Sequence, residues 1–91
     1  MGLIHATCVV VGATGVLIRG PSGAGKSDLG LRLIDDGAEL VADDCCEISV
    51  RDGRLLAAPP MNLAGKIEVR GYGIVNLPFC ASAEVGLVVD L

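Results

Sequence analysis

The most constraining feature of the chain is an eight-residue glycine-rich loop that matches the phosphate-binding pattern G-x-x-x-x-G-K-[ST]. It consists of Gly20, Pro21, Ser22, Gly23, Ala24, Gly25, Lys26 and Ser27. Its glycines let the backbone curl until successive N–H groups point inward at a phosphate. In such a loop the lysine reaches the β and γ phosphates of a nucleotide, and the terminal hydroxyl can ligate Mg²⁺. The alternative interpretation is a glycine-rich turn between a strand and a helix.

The sequence on either side of the loop favours the phosphate-binding interpretation, because that motif follows a strand and opens a helix. Residues 15–19 are a short, mostly apolar run that is typical of a buried strand. After the loop, Leu29, Leu33 and Ile34 recur at helical spacing, and Gly37 is a suitable stop signal. We therefore predict a strand, then the loop, then a helix whose N-terminus suits a phosphate.

Composition and charge exclude several classes of protein. The chain has 91 residues and a formal net charge of −4, which argues against a nucleic-acid surface. It has no apolar run long enough for a transmembrane helix and no basic segment of a signal peptide, so we expect a cytoplasmic protein. The absence of Trp, with one Tyr and one Phe, implies an aliphatic core. The four cysteines lack zinc-site spacing and are expected to be reduced thiols.

The order of apolar runs and turn signals predicts an α/β fold with a mixed sheet and hairpins. The hairpins are expected to flank one strand–loop–helix–strand unit, and Asp52-Gly53 is the clearest hairpin turn. The predicted strands are residues 4–11, 15–19, 39–42, 46–51, 54–58, 66–70, 74–77 and 85–91. We expect a single P-loop domain over residues 1–91, a minimal catalytic core that is incomplete at its C-terminus.

Two adjacent carboxylates, Asp43 and Asp44, follow the predicted strand 39–42 directly. Ligands of open α/β sheets bind at the carboxyl ends of strands, so this pair is expected near the phosphates. One carboxylate can assist Mg²⁺, and the other can accept a proton from the hydroxyl of a phosphoryl acceptor. The alternative is an acidic turn or a helix N-cap.

Two further residues admit both a structural and a functional interpretation. His5 is the only histidine and lies in the first predicted strand, where it is either structural or orients a catalytic carboxylate. Glu68 shares a strand face with Arg70, either as a solvated ion pair or as part of a phosphate and metal site. Gly71 and Gly73 follow and predict a tight turn with close backbone approach.

Several motifs in order resemble the catalytic domain of the bacterial HPr kinase/phosphorylase family. His5 precedes the first hairpin and the phosphate loop follows, then residues 36–44 resemble the family's G-x-x-L-V-A-D-D segment and residues 67–76 its second signature. The resemblance covers nearly the whole chain. It implies a fold similar to that of the HPr kinase catalytic domain and phosphoenolpyruvate carboxykinase. It also implies phosphorylation of a serine in the carrier protein HPr with ATP and Mg²⁺, phosphorolysis of phosphoserine-HPr, and a homo-oligomer, which is a hexamer in the family.

The resemblance also implies a role for each matching residue. The loop would bind the nucleotide phosphates, and its lysine, Lys26, would also serve catalysis. Ser27 and Glu68 would hold Mg²⁺. Asp44 would take the serine proton and return it in the reverse reaction. His5 would sit beside Asp44, and Asp43 would support this catalytic pair.

The chain departs from the family in three respects. Asp28 stands where the family usually has Glu. Family members commonly carry an N-terminal domain, whereas Met1 stands at the edge of the expected catalytic domain, as in short forms of the family that lack the N-terminal domain. The chain ends at Leu91, where family members continue with further basic residues and helices. These departures leave phosphorolysis open. Two other functions compete with the HPr kinase interpretation. A small-metabolite or nucleoside kinase would show a longer α/β alternation and an Arg-rich lid, and a nucleotide-binding remnant would keep the loop without needing Asp44 and Glu68.

Overall fold

The computed structural model of the chain describes residues 2–91, and Met1 lies outside the described residues. In this range the strands are β1 (Gly2–Ile4), β2 (Ala6–Val11), β3 (Thr14–Arg19), β4 (Glu39–Ala42), β5 (Cys46–Arg51), β6 (Arg54–Ala58), β7 (Lys66–Val69), β8 (Gly73–Asn76) and β9 (Ala83–Asp90). The α-helix α1 spans Lys26–Asp35, and a 3-10 turn spans Met61–Leu63. No helix within residues 2–91 is long and apolar enough to cross a membrane.

The predicted mixed α/β architecture is confirmed, and all but one of the predicted strands end within two residues of their expected bounds. The β5–β6 hairpin turns at Asp52 and Gly53, whose φ angles of 53° and 75° suit the type I′ turn that Asp-Gly favours. The prediction of one strand over residues 4–11 is wrong. The chain is interrupted at His5, because β1 pairs with β5 whereas β2 pairs with β4.

The seven-stranded sheet curls back on itself. Its strand order is β1-β5-β6-β9-β3-β2-β4, and β1 continues through the bend at His5 into β2, as β4 continues through residues 43–45 into β5. Ile4 of β1 pairs with Cys46 of β5, and Cys8 of β2 pairs with Ala42 of β4. The segment β1–β2 therefore runs antiparallel to the segment β4–β5, and this pairing brings the two edge strands of the sheet, β1 and β4, close together. The sheet encloses a cluster of small and medium-sized buried side chains: Ala6, Cys8, Leu17, Val41, Ala42, Cys46 and Ala57.

The helix α1 covers the other face of β2 and β3. Three of its apolar side chains pack against three from these strands: Leu29, Leu33 and Ile34 against Val9, Val16 and Ile18. Gly30 is buried in this contact, and a Cβ there would lie 2.9 Å from Cγ2 of Thr7. Because β3 and β4 both run antiparallel to β2, their carboxyl ends share one edge of the sheet. The glycine-rich loop and Asp43 therefore meet at that edge.

A separate two-stranded sheet, the β7–β8 hairpin, contacts α1. Ile67 is fully buried at its inner side. Gly71 in its turn and Gly73 at the start of β8 have φ angles of 79° and 117°, positive values that glycine adopts at low cost. The hairpin carries Glu68 and Arg70 to the edge of the sheet where the loop lies.

Candidate active site

The glycine-rich loop forms a tight turn at the N-terminus of α1. Gly23 and Gly25 have φ angles of 84° and 98°, and the Ala24 N–H donates to the Pro21 carbonyl at 3.0 Å. Within residues 2–91 no side chain caps the helix, so the N–H groups of its first turn are available to an anion. The backbone of the loop therefore has the form of a phosphate site.

Lys26 is held inside this turn. Its side chain is 5% exposed, and its Nζ donates to the carbonyls of Gly20 at 2.9 Å and Pro21 at 3.2 Å. The same nitrogen lies 3.8 Å from Oδ1 of Asp44. A buried ammonium beside the N-terminus of a helix gives the turn a positive field that suits phosphate.

Asp43 joins three elements of the site through its carboxylate. The Ser27 hydroxyl donates to Oδ1 at 2.6 Å, and the Thr7 hydroxyl donates to the same oxygen at 2.9 Å. The backbone N–H of Glu68 donates to Oδ2 at 3.1 Å. These bonds tie the start of α1, strand β2 and strand β7 together, so Asp43 sets the position of the loop relative to the hairpin.

Asp44 has a left-handed backbone with a φ angle of 64°. Within residues 2–91, only one other non-glycine residue has a positive φ angle. Its N–H donates to the Thr7 hydroxyl at 3.3 Å. Its side chain is 64% exposed and lies beside Lys26. Left-handed residues other than glycine are strained and concentrate at functional sites. The exposed carboxylate is accessible to an incoming hydroxyl group.

These groups line one open cleft of about 270 Å³. Its lining residues are Ser22, Gly23, Gly25, Lys26, Ser27, Asp28, Asp44, Glu68, Arg70 and Gly71. Lys26, Asp44 and Glu68, which are far apart in the sequence, are thus brought together, and Asp43 supports them through its hydrogen bonds. Basic groups, carboxylates and backbone N–H groups in one cleft can hold a polyphosphate together with its metal ion.

His5 is not among the residues that line the cleft. It is exposed at the bend between β1 and β2, directly after the pair that Ile4 forms with Cys46. Among the ion pairs of residues 2–91, none joins it to Asp44. The register of β1 on β5 nevertheless brings the backbone of His5 near residues 43–45, and its role beside Asp44 stays a prediction.

Sequence reasoning does not identify Thr7, which bonds to both candidate acidic residues. The available signal is a single hydroxyl in the otherwise apolar run of β2. A threonine in a buried strand is ordinarily a packing residue, because its branched side chain suits a pleated surface. Only the pairing of β2 with β4 puts Thr7 opposite Asp43 and reveals its contacts.

The donor atoms of the site fit Mg²⁺. No group of three or more His, Cys, Asp and Glu side chains within the described range is arranged to hold a metal ion by itself. Ser27 and Glu68 offer a hydroxyl and a carboxylate beside the loop, and Asp43 bonds to the Ser27 hydroxyl. Mg²⁺ is usually bound through one or two carboxylates, waters and substrate phosphates. The residues present therefore suit an ion that arrives with a nucleotide.

Comparison with known proteins places the site in a family. A family model described as the HPr Serine kinase C-terminal domain matches residues 2–83. The chain belongs to this family. Among family members, the HPr kinase/phosphorylase of Clostridium tetani is 44% identical over 75 residues, which are 82% of this chain and 25% of that relative. The HPr kinase/phosphorylase of Geobacillus sp. strain WCH70 is 43% identical over 96 residues, covering 97% of this chain and 31% of that relative.

A solved structure from the same family shares the fold. The Hpr(Ser) kinase/phosphatase from Coxiella burnetii superposes on the chain with a TM-score of 0.90 and 33% sequence identity. The match covers 99% of this chain and 59% of the solved chain. The predicted resemblance in fold to the HPr kinase catalytic domain is therefore confirmed. The chain spans 25% and 31% of the length of the two curated relatives named above, so it corresponds to a part of them.

Proposed function

We propose that this chain transfers the γ-phosphoryl group of ATP to a serine of the protein HPr. The observation that carries the proposal is the convergence of Lys26, Asp44 and Glu68 on one cleft in a chain of this family. Phosphoryl transfer requires mainly positioning and charge neutralisation, and the cleft contains groups for both. The names of the curated relatives support HPr as the acceptor. We also propose a cytoplasmic location and a homo-oligomeric state, a hexamer by resemblance to the family.

In this proposal the loop binds the phosphates of ATP. The N–H groups of the first turn of α1 donate to phosphate oxygens, as is common at helix N-termini. Lys26 exchanges its bonds to the Gly20 and Pro21 carbonyls for bonds to phosphate. Its charge, together with that of Arg70 in the same cleft, stabilises the charge that develops on the transferred group.

Ser27 and Glu68 are the proposed protein ligands of Mg²⁺. Mg²⁺ held there would neutralise part of the charge of the nucleotide phosphates. Asp43 accepts the hydrogen bond of the Ser27 hydroxyl and that of the Glu68 backbone N–H, so one carboxylate holds both ligand residues in place. Such supporting groups orient metal ligands and tune their affinity.

Asp44 is the proposed general base. Its carboxylate accepts the proton of the acceptor serine while the serine oxygen bonds to the γ-phosphorus and the bond from that phosphorus to the ADP oxygen breaks. In phosphorolysis, Asp44 accepts a proton from inorganic phosphate as that phosphate attacks the phosphorus of phosphoserine-HPr, and it returns the proton to the serine oxygen as the bond from phosphorus to that oxygen breaks, which leaves HPr and pyrophosphate. His5 is proposed to support Asp44 from the adjacent bend.

Transfer of label from ATP carrying a radioactive γ-phosphate to HPr tests this function. We expect Lys26→Ala to reduce the initial rate by about 100-fold or more, because it removes the cation that stabilises the transferred group. Lys66→Ala, at an exposed position on β7, is the matched control and should stay within about twofold of the unmodified chain.

An HPr whose acceptor serine is replaced by alanine should take up no label. The proposal fails if the folded chain binds ATP but transfers no label to HPr, or if Lys26→Ala transfers at the unmodified rate. Release of label from phosphoserine-HPr by added inorganic phosphate, measured with the same proteins, decides whether the chain also carries out phosphorolysis.

A further inference from the structure

Thr7 is one of two buried polar or charged side chains within residues 2–91, and the other is Lys26. Its exposed fraction is 0%, and it lies in β2 beside the apolar residues Cys8 and Val9. A buried hydroxyl without partners would be costly, and the Thr7 hydroxyl makes two hydrogen bonds. Both lead to the acidic pair of the candidate active site.

The hydroxyl of Thr7 uses both its donor and its acceptor capacity. It donates its proton to Oδ1 of Asp43 at 2.9 Å and accepts the backbone N–H of Asp44 at 3.3 Å. The first bond orients the carboxylate that also receives the Ser27 hydroxyl. The second bond holds the amide of Asp44, whose backbone is left-handed with a φ angle of 64°.

The methyl group of Thr7 is fixed on the opposite side by α1. A Cβ at Gly30 would lie 2.9 Å from Cγ2 of Thr7, so the absence of a side chain at Gly30 leaves the space that this methyl occupies. A β-branched side chain has few rotamers, and one that is packed through its methyl presents its hydroxyl in a single direction. The helix, Thr7 and the acidic pair therefore form one rigid connection.

We propose that Thr7 is a positioning residue for phosphoryl transfer. It acts through Asp43, which holds the Ser27 hydroxyl, and through the backbone of Asp44, whose carboxylate receives the proton. It is fully buried and does not line the cleft, so its proposed role does not require contact with the substrate. The inference rests on the proposed function, since it assigns Thr7 to the kinase reaction, but its structural part can be measured independently of activity.

The test compares Thr7→Val, which keeps the shape and the methyl but removes the hydroxyl, with Thr7→Ser, which keeps the hydroxyl. We expect Thr7→Val to lower kcat for HPr phosphorylation by about 10-fold, the effect of losing one hydrogen bond to a charged group. The KM for ATP should stay within about twofold, because Lys26 and the backbone N–H groups of the loop are not altered. Thr7→Ser should retain most of the activity, which a role limited to packing would not predict.

Thr14→Val, at the exposed far end of the same hairpin, is the matched control and should leave kcat unchanged. A second measurement follows the backbone amide of Asp44 by NMR hydrogen exchange. We expect its exchange to become faster in Thr7→Val and to stay slow in Thr7→Ser, since only the first loses the acceptor of that N–H.

Equal kcat in Thr7→Val and the unmodified chain would overturn the positioning role. If the unmodified chain does not phosphorylate HPr, the proposed function fails. The hydrogen exchange of the Asp44 amide then still tests whether Thr7 holds the backbone of Asp44. Unchanged exchange in Thr7→Val would show that Thr7 does not hold Asp44, whatever the reaction of the chain is.

Discussion

Among single residues, Gly30 and Thr7 determine how closely α1 approaches β2. A Cβ at residue 30 would lie 2.9 Å from Cγ2 of Thr7, well inside the usual separation of two carbon atoms. Alanine is otherwise the better helix residue by about 1 kcal/mol. The steric effect is the larger of the two, because Thr7 is fully buried, stiff at χ1 and bonded to Asp43.

We expect Gly30→Ala to lower the free energy of unfolding by about 1–2 kcal/mol, despite the gain in helix propensity. Urea denaturation measures this change. In a Thr7→Ser background, which lacks the methyl group, the same substitution should instead raise the free energy of unfolding by up to about 1 kcal/mol, because the gain in helix propensity is no longer opposed by the clash. A Gly30→Ala variant more stable than the unmodified chain would contradict the close packing of α1 on β2.

Among the elements, the β7–β8 hairpin lies outside the seven-stranded sheet and still supplies Glu68 to the cleft. Its tie to the site is the hydrogen bond from the Glu68 N–H to Oδ2 of Asp43. This bond involves the backbone, so the hairpin can keep its position when the side chain of Glu68 is changed. The role of the carboxylate can therefore be tested separately from the position of the strand.

We expect Glu68→Gln to raise the Mg²⁺ concentration for half-maximal transfer to HPr by about 10-fold, because a charged ligand is replaced by a neutral one. Magnesium titration of the transfer rate at saturating ATP gives this value. Glu47→Gln, at an exposed position on β5, is the matched control and should not shift it. An unchanged magnesium dependence in Glu68→Gln would remove Glu68 from the proposed ligands.

Local sequence patterns are sufficient to predict most of the strand and helix boundaries. Strands β4, β5 and β6 have the predicted bounds, because apolar runs and the Asp52-Gly53 turn delimit them, and the loop motif marks the start of α1. The interruption at His5 and the curl of the sheet depend on which distant strands pair, which no local pattern contains. Thr7 is overlooked for the same reason, since its partners Asp43 and Asp44 are 36 and 37 residues away.

For the molecule as a whole, the curled sheet separates the four free cysteines of the described range into two groups. Cys8 and Cys46 lie in the enclosed core, whereas Cys45 and Cys80 are partly exposed. A hydrogen bond with the Cys8 thiol and burial raise the pKa of Cys46. Burial and the bond that its thiol donates to Glu39 raise the pKa of Cys80, so that at a given pH less of it is thiolate.

We expect iodoacetamide at about pH 8 to modify Cys45 first and Cys80 more slowly, since the thiolate is the reacting form. Cys8 and Cys46 should react only at the rate of global unfolding, because the core must open to expose them. Peptide mass spectrometry over time gives the four rates, and the same reaction in urea is the control in which all four should be modified. Modification of Cys46 as fast as Cys45 in the native protein would contradict the enclosed core.

The most direct measurement of the central proposal is the single-turnover rate of phosphoryl transfer to HPr by Asp44→Asn, beside Asp52→Asn. Both substitutions are at left-handed aspartates, a conformation that asparagine also tolerates, but Asp52 lies in the β5–β6 turn away from the cleft. We expect Asp44→Asn to lose at least about 100-fold in rate while it still binds ATP, because the proposed general base is removed. Asp52→Asn should transfer at the unmodified rate. Equal rates for the two variants would contradict the assignment of Asp44 as the base.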